Sequence, residues 1–124
     1  MPEPIIFISR NKIREGKASE FRKHYQESIQ ATFLDKQDTL VQLAFENEET
    51  TEFTVIRVFP DATALDSQIL GADERSKKTY TFIEPISIEI FGKPNPVTLE
   101  KMKKIAGSGI KVKICSNYSG GFIR

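Results

Sequence analysis

The run Ile5-Ile6-Phe7-Ile8 is too short for a helix, is rich in β-branched side chains and is apolar at every position, so a strand there turns hydrophobic groups to both faces of a sheet. The stretch Phe53 to Phe59 repeats the feature, with Val55 and Phe59 on one parity and Ile56 and Val58 on the other. Each face of such a sheet needs a cover, because apolar area left in water forgoes about 25 cal/mol per Å². Two helices cover only one face of a four-stranded sheet, and a second copy is the simplest cover for the other, since two-fold homodimers are the commonest oligomers. A homodimer is therefore expected.

The remaining elements follow from periodicity. After a first strand from Ile5 to about Lys12, Ala18, Phe21, Tyr25 and Ile29 recur at spacings of three and four and mark one stripe of a helix that begins beyond Gly16. Leu40 to Glu46 and Phe53 to Phe59 are joined by a short polar stretch with no room for a crossover, which makes them an antiparallel hairpin. Pro60-Asp61 supplies a stop and an N-cap, and Ala62, Leu65 and Ile69 keep helical spacing up to Gly71. The polar segment Asp73 to Lys78 fits either a further helical turn or a loop.

Ile86, Ile88 and Ile90 alternate with Ser87 and Glu89 in a fourth strand closed by Gly92-Lys93-Pro94. Asn95-Pro96 then opens a third helix carrying Leu99, Met102, Ile105 and Ala106, and Ile110, Val112 and Ile114 alternate with lysines in a last strand, beyond which Gly120-Gly121 marks a turn. The order strand, helix, strand, strand, helix, strand is that of a ferredoxin-like α+β sheet, with a helix and a strand added at its C-terminal end. With 124 residues and no repeat or composition break, the chain reads as one domain, its core about 5–93 and its extension about 94–124.

Charge and cysteine usage narrow the function classes. Lys plus Arg number 18 against 17 Asp plus Glu, a balance without the long-range field that gathers nucleic acid or an acidic membrane. Cys115 is the one cysteine, so neither a disulfide framework nor a cysteine-based zinc site can form within the chain. No signal-like N-terminus or apolar run near the roughly 20 residues of a membrane span occurs, and a cytoplasmic protein is expected.

The order of elements, the segment Asn11-Lys12-Ile13-Arg14-Glu15-Gly16-Lys17 leading into a helix with Phe21, and the hairpin ending in Phe59-Pro60-Asp61 resemble the antibiotic-biosynthesis-monooxygenase-like family of dimeric α/β-barrel proteins. The resemblance covers about Ile5 to Lys93. It implies a ferredoxin-like fold whose sheets meet face to face in a dimer, with a pocket between sheet and helices. Some members oxidise quinol-like or polycyclic aromatic substrates with dioxygen and no metal or flavin, and others degrade haem with an asparagine, a tryptophan and a histidine. This chain has no tryptophan and carries its one histidine, His24, on the first helix; where relatives often have a histidine in the second helix, it has Gln68. The implied protein needs no cofactor and takes a small aromatic ligand.

Few residues can carry chemistry. His24 has the side chain whose ordinary pKa suits proton transfer near neutrality; its bland alternative is a helix-flank histidine in an ordinary hydrogen bond. Asn11, Arg57 and Glu89 are polar intrusions in otherwise apolar strands. If their registers agree, Arg57 binds a carboxylate or enolate oxygen while Glu89 or His24 handles a proton; otherwise Arg57 and Glu89 form an exposed or interfacial ion pair. Tyr25, Tyr80 and Phe82 stack on an aromatic ligand or pack in the core, and Gln68 completes the candidate ligand-binding set with Asn11, Tyr25 and Phe82. Cys115 has no neighbour in the sequence that would lower its pKa, and a buried cysteine is usually inert, so it is not a candidate nucleophile.

Overall fold

The computed structural model describes residues 3–124. Its elements are β1 (Ile5–Ile13), α1 (Ala18–Asp35), β2 (Val41–Glu46), β3 (Glu52–Phe59), α2 (Ala62–Ile69), α3 (Ala72–Thr79), β4 (Ile83–Phe91), α4 (Pro96–Ala106) and β5 (Lys111–Cys115). The sheet has the order β2-β3-β1-β4-β5, antiparallel except for the parallel pair β4 and β5. The first four strands have the ferredoxin-like arrangement, and the polar segment after Gly71 is a helix of its own. Asp61 caps α2, its carboxylate accepting from the Ala64 amide at 2.9 Å, and Gly71 adopts the left-handed conformation (φ 76°) that ends one helix and starts the next.

Register sorts the side chains onto two faces. Phe7 lies opposite Arg57, which lies opposite Gln42, and Asn11 lies opposite Phe53; these form the inner face, under the helices. Two apolar clusters fill the space above it. One joins Ile5, Phe59, Leu65, Ile88, Ile90 and Met102 beneath α2 and α4, and the other joins Ile13, Phe21, Phe53, Val55 and Ile83 beneath α1. The outer face carries Leu43, Ile56 and Ile8 in one row and Val41, Val58, Ile6 and Phe91 in the next, and no element among the described residues covers it. Leu43 and Phe45 remain 52% and 59% exposed.

The pairing of β1 with β4 shifts between Arg10 and Asn11, so that Pro85 faces Asn11 while Ser87 faces Arg10. Ile86 is the extra residue of a bulge, and the proline beside it needs no ladder donor. The bulge resets the alternation of β4: Ile83 and Pro85 share the inner face with Ile88 and Ile90, and Glu89 is turned outward opposite Ile8.

Several expectations are corrected here. Ile29, placed on the buried stripe of α1, is 44% exposed, because α1 runs past the region its sheet partners cover; Phe21 is its buried residue. Cys115 is exposed at the end of β5. Residues 116–124 are exposed and without regular structure, with no hydrogen-bonded turn at Gly120-Gly121. Among the described residues no helix is long and apolar enough to cross a membrane.

Candidate functional site

A cavity of about 530 Å³ lies between the inner face of the sheet and the helices, at the seam between the two apolar clusters. Its floor is Phe7, Ser9 and Asn11 of β1 with Val55 and Arg57 of β3 and Gln42 of β2. Its walls are His24 and Tyr25 of α1, Gln68 of α2, and Arg75, Thr79 and Tyr80 from α3 and its end. Five of the seven residues singled out from the sequence therefore meet in one place: Asn11, His24, Tyr25, Arg57 and Gln68. A more open hollow of about 790 Å³ between α2 and α4 is lined by Asp66, Leu70, Val97 and Lys101 among others, but its Asp66 carboxylate is already engaged by the Asn95 amide at 2.6 Å and by the Thr98 hydroxyl.

The other two residues do not line the cavity. Glu89 forms an ion pair with Arg10 on the outer face, separated from Arg57 by the sheet itself. Phe82 packs beside it, its ring 5.2 Å from that of His24 and 6.1 Å from that of Phe21. Two further lining residues, Gln42 and Arg75, carry weak signals in the sequence, and Tyr80 carries only part of its own. Gln42 is a polar break in Val41 to Phe45 whose link to Arg57 would follow from the hairpin register. Arg75 sits in the segment left open between helix and loop. Tyr80 was considered only as a stacking group.

Arg57 is the central polar group. Its Nε donates to Gln42 Oε1 at 2.9 Å and its guanidinium lies 5.9 Å from the centre of the Phe7 ring, but no carboxylate comes within ion-pair distance of it among the described residues. Burial lowers its pKa to about 10, and Arg75 pushes the same way, so the group is still cationic at neutral pH. Burial also raises the pKa of Tyr80, with Ser76 and Arg57 opposing the rise. Arg75 itself is committed to the end of α2, donating to the Leu70 and Gln68 carbonyls at 2.8 and 2.6 Å.

His24 Nε2 lies 3.1 Å from the Thr79 hydroxyl, which is itself 3.1 Å from the Arg75 carbonyl, so one ring nitrogen is held in a hydrogen bond at the cavity wall. Burial, then nearby Lys78, lowers the His24 pKa, with Glu27 opposing, which keeps the ring neutral near pH 7. Gln68 is 7% exposed and is hydrogen-bonded to the Thr39 hydroxyl at 3.0 Å. No group of three or more His, Cys, Asp or Glu side chains able to hold a metal ion occurs among the described residues.

No protein-family model and no curated protein matches the chain. Solved structures do. MupZ from Pseudomonas fluorescens superposes with a TM-score of 0.70 at 16% identity, over 100% of this chain and 91% of its own. SnoaB from Streptomyces nogalater, a cofactor-independent oxygenase, gives a TM-score of 0.61 at 14% identity, over 77% of this chain and 97% of its own. A candidate antibiotic biosynthesis monooxygenase from Bacteroides thetaiotaomicron gives 0.59 at 19%, over 71% and 85%. At such identities the likeness is one of fold. The chain has the ferredoxin-like α+β fold of antibiotic-biosynthesis-monooxygenase-like proteins.

Proposed function

We propose that this protein is a homodimeric, cofactor-independent monooxygenase-like protein that binds a small apolar or aromatic, quinol-like molecule in the cavity beside the sheet. The observation that carries the reading is Arg57: a partly buried guanidinium without a carboxylate partner, on the floor of a cavity otherwise rich in apolar and aromatic groups. A cation held in that way stabilises an anion that enters beside it, more strongly in a dry site than in water. An oxidisable phenol must first become a phenolate, and Arg57 is placed to hold that oxygen.

His24 is the group to take the phenol's proton, since its ring lines the cavity and is neutral. Electron density then passes from the substrate anion to dioxygen. One oxygen atom becomes the new carbonyl of the quinone product, and the other leaves as water with the single hydrogen of the ring carbon that was oxidised and the phenol proton taken up by His24. The residues asked to act are few, which accords with chemistry whose reducing power lies in the substrate. The apolar outer face, with Leu43, Ile56, Ile8 and Val58 uncovered by any element among the described residues, supports the homodimer.

A second reading is a dimeric module that binds a metabolite or another protein without catalysis. Gln68 favours it, being an amide tied to Thr39 at a wall position where an imidazole would add a second base. Oxygen-electrode screening against hydroquinones and polycyclic phenols separates the two. Uptake above a no-enzyme control is expected; its absence with every compound would favour the module.

A further inference from the structure

The direction of two amides sets what the cavity can bind. A guanidinium has no acceptor, so the Gln42 atom 2.9 Å from Arg57 Nε is the carbonyl oxygen, and the amide nitrogen is the end that meets the Tyr25 hydroxyl at 3.3 Å. Tyr25 oxygen thus accepts from Gln42. Its own O–H proton has no acceptor among the described residues, although the side chain lines the cavity. The Arg57 Nη1 and Nη2 groups likewise make no hydrogen bond within the described residues. At this end the Tyr25 O–H and the Arg57 Nη groups are donors without an acceptor among the described residues.

Asn11 is fixed in the opposite sense. Its Nδ2 faces the Phe53 carbonyl at 3.3 Å and the Ser9 hydroxyl at 3.0 Å, and a carbonyl can only accept, so Oδ1 is the free atom. Asn11 is 3% exposed and lines the cavity, and no fully enclosed side-chain atom of the described residues lacks a partner, so Oδ1 is an accessible acceptor on a cavity-lining side chain. The register puts Asn11 beside Phe53 and Phe7 beside Arg57, four residues further along each strand, which separates the two ends by roughly 13 Å of backbone.

We propose that Gln42 is a positioning residue that sets this polarity, so that the Arg57 and Tyr25 end takes an oxyanion and the Asn11 end takes the hydroxyl proton of the same flat aromatic molecule. The inference rests on reading the cavity as a ligand site and deepens it by naming the two groups its ligand carries. A neutral amide at position 42 is essential to it: a carboxylate there would accept from both Arg57 and Tyr25, neutralise the guanidinium and repel the oxyanion.

The test is calorimetric titration of the full chain with 6-hydroxy-2-naphthoate, which has a carboxylate at one end and a hydroxyl at the other, beside 6-hydroxy-2-naphthamide and plain 2-naphthoate. The wild type should bind the hydroxynaphthoate about tenfold tighter than the amide, the usual worth of a charge-assisted hydrogen bond. Gln42→Glu should abolish that preference, and a cooperative melting transition within a few degrees of the wild type's shows that the variant is folded. Asn11→Ala should erase the advantage of hydroxynaphthoate over naphthoate. Equal binding of acid and amide by the wild type, or a preference that survives Gln42→Glu, overturns the role of Gln42 and leaves the cavity as a ligand site. Failure of all three compounds to bind would overturn the inference together with the aromatic-ligand reading, whereas binding without oxygen uptake by any phenol would overturn only the proposed reaction.

Discussion

Arg57 and His24 differ in what their removal does. Arg57→Ala takes away the guanidinium on the cavity floor, and loss of a single anion-stabilising donor commonly costs about 10² to 10³ in turnover. Its structural contacts are one hydrogen bond to Gln42 and a distant Phe7 ring, so thermal unfolding of the variant should move by no more than about 1 kcal/mol. A collapse of the melting transition would mean that Arg57 is a structural residue. His24 is expected to show in the pH dependence of folding. Its pKa is lowered in the folded protein from 6.5, so its contribution is complete above that value and is lost as the pH falls through the lowered folded value. Urea melts of wild type and His24→Gln at pH 7.5 and 5.5 should show the smaller pH difference in the variant; identical differences would place the imidazole in free solvent.

At the scale of elements, backbone devices carry the arrangement. Gly92 ends β4 with φ at 120°, and a Cβ there would lie 2.9 Å from Ile5 Cγ1 and 3.0 Å from the Pro4 carbonyl. Gly92→Ala should cost about 2 kcal/mol in chemical denaturation, and a cost below about 0.5 kcal/mol would contradict the strain. Most elements were legible because each carries a strong local signal: short apolar, β-branched runs in β1 and β3, the Asp61 cap and left-handed Gly71 around α2, and Asn95-Pro96 before α4. Helix α3 was not, since Asp73 to Lys78 has no apolar stripe and is held by Arg75 on the carbonyls of Leu70 and Gln68. The site was legible in part for a related reason. Polar breaks in apolar strands drew attention to Asn11 and Arg57, which share the inner face, but the same sign at Glu89 misled, because the bulge at Ile86 resets the phase of β4 and a bulge leaves little trace in sequence.

For the whole molecule, the outer face makes the sharpest expectation. Light scattering at micromolar concentration should give a mass near twice the 14.1 kDa of the chain, and Phe45→Lys with Leu43→Glu should shift it to the monomer. A stable wild-type monomer would contradict the cover argued for that face. The extension divides in two: α4 buries Met102 against the core, whereas residues 116–124 leave Phe122 82% exposed, so deletion of that last stretch should leave the melting temperature of the subunit unchanged within a degree or two. The account turns on whether this cavity makes and oxidises a substrate anion. Oxygen consumption with a polycyclic phenol, measured for wild type and Arg57→Ala against a no-enzyme control, tests that directly. Uptake by the wild type that falls about 100-fold in the variant is the predicted result; no uptake by the wild type, or equal uptake by both, would contradict it.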